Sequence, residues 1–162
     1  MTTHTSASPV GRNLCWIDDH TALLHDAEGL QKVSGNIAAW NQDGIVVLSQ
    51  SRSDSPGNDG NIVHDNFVAM APQPMAAGDE AFALGWLQDW SGGLFDAVKA
   101  NHGFGNDYWH SQAEPTSCRF SWSGCQSTLA SFNATPGDEA GRYVTTAEKD
   151  SILAAAGVPT GP

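Results

Sequence analysis

The stretch 86–125, WLQDWSGGLFDAVKANHGFGNDYWHSQAEPTSCRFSWSGC, holds four of the chain's six tryptophans and two of its three cysteines. Trp86, Trp90, Phe95, Phe104, Tyr108, Trp109, Phe120 and Trp122 each offer a ring that removes roughly 150–250 Å² from water when enclosed. A chain of 162 residues has few other groups of that bulk, so these rings are expected to supply most of one core. Gly85, Gly92, Gly93, Gly103, Gly105 and Gly124 lie among them, a density that suits irregular backbone better than long regular elements. Inside the stretch, Ser91 is placed to cap a short helix over residues 92–101. Leu94, Phe95 and Val98 would share one face of it, and Gly103 follows its end.

Length and charge bound the rest. The chain fits one domain, large enough to bury about two thirds of its unfolded surface, divided into a polar arm at 1–12, a β-rich body at 13–156 and a tail at 157–162. Seven Lys and Arg stand against eighteen Asp and Glu, a formal charge of −11. A phosphate backbone would be repelled, which argues against nucleic acid as a partner. No run approaches the ~18 apolar residues of a membrane-spanning helix, and MTTHTSASPVGR lacks the apolar core of a secretion signal. Neither a membrane partner nor export by the classical route is expected.

Along the body, short apolar runs alternate with turn residues: LCWI, TALLH, LQKV, IAAW and IVVLS, with the turns at 26–29 and 41–44 between them. Regular short runs joined by Gly-containing links predict consecutive antiparallel hairpins, with no internal repeat beyond that rhythm. A helix over 19–32 is the alternative, weakened by Gly29 and the following VSGN. Residues 50–61 carry almost no apolar atoms and read as a solvent-facing loop. IVHDNFVAM resumes strand character, EAFALGWL is open to strand or helix, and STLASFNA reads as one more strand. Thr145 and Glu148 form a capping box before AEKDSILAAAG, with Gly157 at the exit and Pro159 beyond, which predicts a C-terminal helix. The expected fold is therefore mainly β: a small antiparallel sandwich or barrel with an irregular Trp/Gly-rich half and one C-terminal helix.

Asp18, Asp19, His20, His25 and Asp26 mix donors that a divalent metal accepts, but His20 and His25 are separated by an odd number and leave a strand on opposite faces. Asp54, Asn58, Asp59 and Asn61 offer oxygens to Ca²⁺, yet Pro56 and Gly57 stand where an EF-hand needs side-chain ligands. No metal or cofactor is expected from either group. His64 with Asp65, and His102 with Asp107 and His110, have the chemistry of general acids and bases, and no nucleophile elbow accompanies them. Cys118 and Cys125 bracket a hexapeptide short enough for a local disulfide. The other reading is three buried thiols.

Exposed indoles at Trp86, Trp90 and Trp109, beside Gln88, Asp89, Asn106 and Asp107, would make a sugar-stacking platform; the competing use of the same rings is as core. With Asp54, Asn58 and Asp59 of the polar loop, these tryptophans are the candidate contacts for a ligand or partner. Arms as polar as 1–12 and 157–162 are ordered only when something grips them. That consideration, with the low charge density and missing catalytic signatures, predicts a non-enzymatic structural protein of a multi-subunit assembly. A virion component is the leading form: capsid decoration, tail or fibre, homo-oligomeric or shell-bound, in a virion or other extracellular assembly and contacting other protein subunits. A carbohydrate-binding module using the tryptophans is the second expectation. A hydrolase built on His102, Asp107 and His110 is the third.

Overall fold

The computed structural model describes residues 14–16, 21–26, 32–41, 43–49, 60–70, 85–89, 96–115, 119–122, 124–135 and 137–161. Strands β1 (Leu14–Trp16), β2 (Thr21–Asp26) and β3 (Lys32–Ser34) are followed by β4 (Ile37–Ala39), β5 (Asp43–Ser49) and β6 (Ile62–His64). Then come β7 (Phe67–Met70), β8 (Gly85–Asp89) and β9 (His102–Phe104), and after them β10 (Asp107–His110), β11 (Phe120–Ser121), β12 (Cys125–Gln126) and β13 (Arg142–Tyr143). Two helices, α1 (Leu129–Ala134) and α2 (Thr146–Ala156), belong to the C-terminal part.

Pairing runs from one circuit of the chain to the next. The first sheet has the order β1-β4-β7-β10-β13, the second β12-β11-β8-β5-β2 and the third β3-β6-β9. Ladders within these sheets are parallel, except the local β11–β12 hairpin. In the first sheet Ile37, Ala38 and Ala39 stand beside Phe67, Val68 and Ala69, which stand beside Asp107, Tyr108 and Trp109. The described body is thus a three-sided parallel coil, a β-solenoid in which each of the first three circuits contributes one strand to each face.

The corners explain why the chain turns sideways rather than back. Gly35, Gly60, Asp65, Ala100 and Gly105 have φ of 69°, 72°, 52°, 51° and 65°, and each is followed by a buried asparagine: Asn36, Asn61, Asn66, Asn101 and Asn106. A left-handed residue between two extended ones redirects the strand into a different sheet. The asparagines then stack. Asn36 donates through its backbone N–H (3.0 Å) and Nδ2 (2.9 Å) to Asn66 Oδ1, and Asn66 donates in the same two ways to Asn106 Oδ1. Asn61 repeats the arrangement on Asn101, at 2.9 Å for both bonds.

This corrects the expectation of antiparallel hairpins in a sandwich or barrel. The mainly β character stands, but IVHDNFVAM is two strands on different sheets, bent at Asp65-Asn66, and IAAW and IVVLS likewise belong to different sheets. A circuit repeats after 30 residues and then after 40, as the asparagine spacing shows, so an internal repeat exists where none was expected. STLASFNA is helix α1 rather than strand, because Thr128 Oγ1 accepts the Ser131 N–H and caps it. Of the helix expected at 92–101, residues 96–101 are described, and among these Ala97–Lys99 form a 3-10 turn. The segment 21–26 of the alternative helix at 19–32 is strand β2.

Side-chain parity separates two apolar regions. Ala38, Val68 and Tyr108 point into the coil with Val33, Ile45 and Val63, where Phe120 stacks on Phe132 at 4.5 Å. Ala39, Phe67 and Trp109 leave the outer face of the first sheet, and α2 covers them with Leu153. That helix is the one expected: Thr145 and Glu148 form both capping-box bonds and Gly157 closes the end with φ 73°. Of the rings expected to share one core, Tyr108, Phe120 and Trp122 line the interior, Trp109 lies outside it, and Phe104 is exposed.

Replacing Asn66 with Ala strands the Asn36 donors and removes bonds to Val33 O, His64 O and Asn106 Oδ1. Chemical denaturation should register a loss of about 2–4 kcal/mol, and a loss below about 0.5 kcal/mol would contradict the ladder's structural role.

Asp138 gives a pH-dependent expectation. It is fully buried, accepts the Tyr108 hydroxyl at 2.8 Å on Oδ2 and has no partner for Oδ1. Burial pushes its carboxyl up from 3.8 to about 6, against the hydrogen bond from Tyr108. Between those values the folded chain keeps a proton that the unfolded chain has released. The contribution is therefore intact below about pH 4 and is lost as pH rises through about 6. Relative to wild type, Asp138→Asn should gain stability progressively from pH 4 to pH 7, reaching about 1–3 kcal/mol. A difference in Tm that does not change over that range would contradict the assignment.

Candidate functional site

Where β10 leaves the first sheet, the turn 111–115, the start of β11, strand β13 and the first turn of α2 surround a cleft of about 500 Å³. Trp109, His110, Gln112, Glu114, Arg119 and Tyr143 supply most of its chemistry, with Thr145 and Thr146 on the α2 side. Small-molecule sites commonly occupy about 300–1,000 Å³ and combine an apolar surface with a few fixed polar groups.

Trp109 is held from behind. Its ring meets Trp40 edge to face at 5.8 Å, and its Nε1 donates to Thr146 Oγ1 at 3.4 Å. Lys149 Nζ lies 4.5 Å from the Trp109 centroid and 5.3 Å from that of Trp40. The buried ammonium also pairs with Asp150 Oδ1 at 2.7 Å and donates to Thr160 O, so it is desolvated only where rings and oxygens replace water.

Beneath the cleft, Arg119 is 1% exposed, and its Nη2 donates to Gln112 O (2.9 Å) and Ala113 O (3.5 Å). This guanidinium thereby fixes the turn that carries Gln112 and Glu114. Glu114 Oε1 accepts the Leu129 N–H and the Tyr143 hydroxyl, both at 2.6 Å. Burial, then the bond to Glu114, pushes the Tyr143 phenol well above its ordinary range. His110 Nδ1 accepts the Gln112 N–H at 3.0 Å, which leaves the neutral ring's proton on Nε2. Burial and the nearby Arg119 charge lower its pKa to about 4.

The residues expected to act together as a hydrolase are not brought together. His102 belongs to the third sheet, where Nδ1 lies 3.1 Å from Ala100 O. Asp107 and His110 are three residues apart on one strand and leave opposite faces, and Asp107 is engaged by Arg142 Nε at 2.9 Å. His64 Nδ1 meets Asp65 Oδ2 at 2.7 Å, while its ring stacks on Phe104 at 4.6 Å and its Nε2 is buried without a partner. Ser34 is the strand neighbour of His64. Because Nε2 has no hydrogen-bond partner, no hydroxyl or thiol is paired with it among the described residues.

Of the expected ligand contacts, Trp109 lines the cleft. Trp86 lies on β8, where its backbone pairs with Val46 and Ser121; its side chain, with Trp90, Asp54, Asn58 and Asp59, falls outside the described residues. Cys125 is disulfide-bonded, and Cys118 falls outside the described residues. The C-terminal tail is gripped by its own chain, through Trp40 Nε1 donating to Pro159 O at 2.8 Å and Lys149 to Thr160 O. The arm at 1–12 falls outside the described residues.

Sequence reasoning missed Gln112, Glu114, Arg119, Tyr143 and Thr146 as site residues. They come from separate segments without a shared motif, and only the coil's return brings β13 beside β10.

Comparison with known proteins finds no matching family model, no matching curated protein and no matching solved structure.

The tautomer of His110 can be read directly. Nitrogen-15 NMR should find the Nε2–H form at pH 6 and a titration near pH 4, rather than near the ordinary 6.5. A midpoint between 6 and 7 would show that the ring is neither desolvated nor under the influence of Arg119.

Proposed function

We propose that this chain binds carbohydrate, and that the cleft beside Trp109 is where it does so. The observation that carries the reading is the combination in one cleft of an indole ring with polar groups of both signs of hydrogen bonding. Glu114 and Thr146 line it with acceptors, and His110 and Gln112 line it with donors. A pyranose presents C–H groups on its faces and hydroxyls around its rim, each hydroxyl both donor and acceptor. An aromatic surface bordered by mixed donors and acceptors is its complement.

Binding rather than turnover is the favoured activity. Tyr143 and Glu114 are tied to each other, and His110 faces the turn that carries Gln112. A disulfide at Cys125 supports an oxidising setting outside the reducing cytosol, where polysaccharide ligands are met. The expectation of an assembly subunit rested on arms that need a neighbour to be ordered. At the C-terminus the chain supplies that grip itself, through Trp40 and Lys149, so the glycan reading takes precedence.

Screening the full chain against a glycan array, followed by calorimetry, should identify an oligosaccharide ligand. Gln112→Ala alters an exposed side chain and should weaken binding about tenfold with the far-UV spectrum unchanged. Trp109→Ala should abolish binding, and Trp109→Phe should restore part of it while preserving the fold. No binding across the array, or binding indifferent to Gln112→Ala and Trp109→Phe, would remove the proposal.

A further inference from the structure

We infer that Asp138 is a proton-operated latch: it takes the place of the next asparagine at the end of the ladder, and its ionisation loosens the cleft wall that β13 supplies. The corner before β13 repeats the earlier ones with one change. Ala140 has φ 60°, as Gly35, Asp65 and Gly105 have 69°, 52° and 65° ahead of β4, β7 and β10. Where those corners continue with Asn36, Asn66 and Asn106, this one continues with Gly141. A Cβ at residue 141 would collide with the Asp138 carboxyl, so the carboxyl fills the space an asparagine side chain would need. It also meets the same donors. Asn36 and Asn66 each direct a backbone N–H and an amide onto the next asparagine oxygen, and the N–H and amide of Asn106 favour the charged form of Asp138.

A carboxyl differs from an amide in having a proton to lose. Asp138 is fully buried, with Oδ2 accepting the Tyr108 hydroxyl and Oδ1 without a partner. The described groups around it bring no unpaired positive charge. From β10 come Tyr108 and the acidic Asp107, and from α1 comes Asn133, whose Nδ2 donates to Gly141 O at 3.3 Å. Glu139 is its acidic chain neighbour. On β13, Tyr143 donates its hydroxyl to Glu114, and Arg142 is paired with Asp107 and Glu148. Burial accordingly pushes the Asp138 carboxyl up to about 6, and Asp107 adds to the effect. Once ionised, Asp138 is a buried charge without a counter-ion, and opening residues 137–141 to water relieves it.

That segment anchors the wall. Glu139 N–H donates to Gly103 O and Gly105 N–H donates to Glu139 O, both at 2.8 Å. Arg142 N–H and Val144 N–H donate to Asn106 O and Tyr108 O at 3.1 and 2.8 Å. Tyr143, Thr145 and Thr146 on the same stretch line the cleft. Below about pH 4 the carboxyl is protonated whether the latch is closed or open. Between about 4 and 6 only the closed form keeps the proton, so opening becomes easier with each step in pH, and above about 6 it levels off. The inference holds whatever ligand the cleft takes.

Amide hydrogen exchange on the full chain from pH 4 to pH 7, expressed as protection factors, tests it. Protection at Gly105, Glu139, Arg142 and Val144 should fall by about 30-fold or more and level off above about pH 6. At every pH these four should be at least about tenfold less protected than Trp40 and Phe67, whose N–H groups bond Ala69 O and Asn36 O, because the latch opens without the rest of the coil. Asp138→Asn keeps the shape without the ionisation and should give a flat profile. A flat wild-type profile would overturn the inference, as would four amides protected no less than Trp40 and Phe67, which would mean that only global unfolding releases them. A fall that persists in Asp138→Asn would assign the proton to another group and overturn it as well.

Discussion

Asn66 sits between Asn36 and Asn106 with its side-chain amide fully committed: Oδ1 accepts from Asn36, and Nδ2 donates to Val33 O, His64 O and Asn106 Oδ1. Such an amide is costly to bury unless every bond is made, and once they are made it locks one circuit of the chain onto the next at a fixed height. The left-handed residue before each asparagine supplies the change of direction, and the asparagine secures it. Phe67 N–H to Asn36 O, Asp107 N–H to Asn66 O and Arg142 N–H to Asn106 O continue the parallel ladder from those corners. The register of the first sheet, and hence the position of Tyr108 inside and Trp109 outside, follows from this stacking.

Once the corners are locked, segments between them can vary in length without disturbing the ladders. That is why successive circuits can differ by ten residues, with spacings of 30 and 40 between stacked asparagines. The last circuits use this freedom to build the cleft. Arg119 pins the turn after β10 from below, β13 brings Tyr143 alongside, and the capping box of α2 places Thr146 where it meets Trp109. Lys149, sandwiched against Trp40 and Trp109, joins α2, the outer face of the first sheet and the C-terminal tail in one contact set. On the outer face of the first sheet, α2 covers Ala39, Ala69 and Phe67 with Leu153.

Much of the local structure was legible in the sequence. Thr145, Glu148 and Gly157 specify α2 through short-range hydrogen bonds that need no tertiary context, and strand runs such as IVVLS were readable from their β-branched content. Topology was not legible, because a short strand followed by a turn looks the same whether the chain doubles back or goes round. The distinguishing signal was present in Gly35-Asn36, Asp65-Asn66 and Gly105-Asn106, each opening a strand. Unequal spacing concealed it from a search for a fixed period. At the site, Trp109 was found because indoles announce themselves. Glu114, Arg119 and Tyr143 carry no local pattern, and only circuits stacked in parallel bring them together.

The placement of the core, the corners and the cleft all depends on strands running in the same direction through the first sheet, and through-space NMR contacts between backbone protons report that directly. Stacked circuits predict neighbours in rows: Ile37 with Phe67 and Phe67 with Asp107, Ala38 with Val68 and Val68 with Tyr108, Ala39 with Ala69 and Ala69 with Trp109. Sequence numbers therefore rise together along each pair of strands. Contacts in which one strand's numbers rise as its neighbour's fall, or in which β4 pairs with β5 rather than with β7, would contradict it.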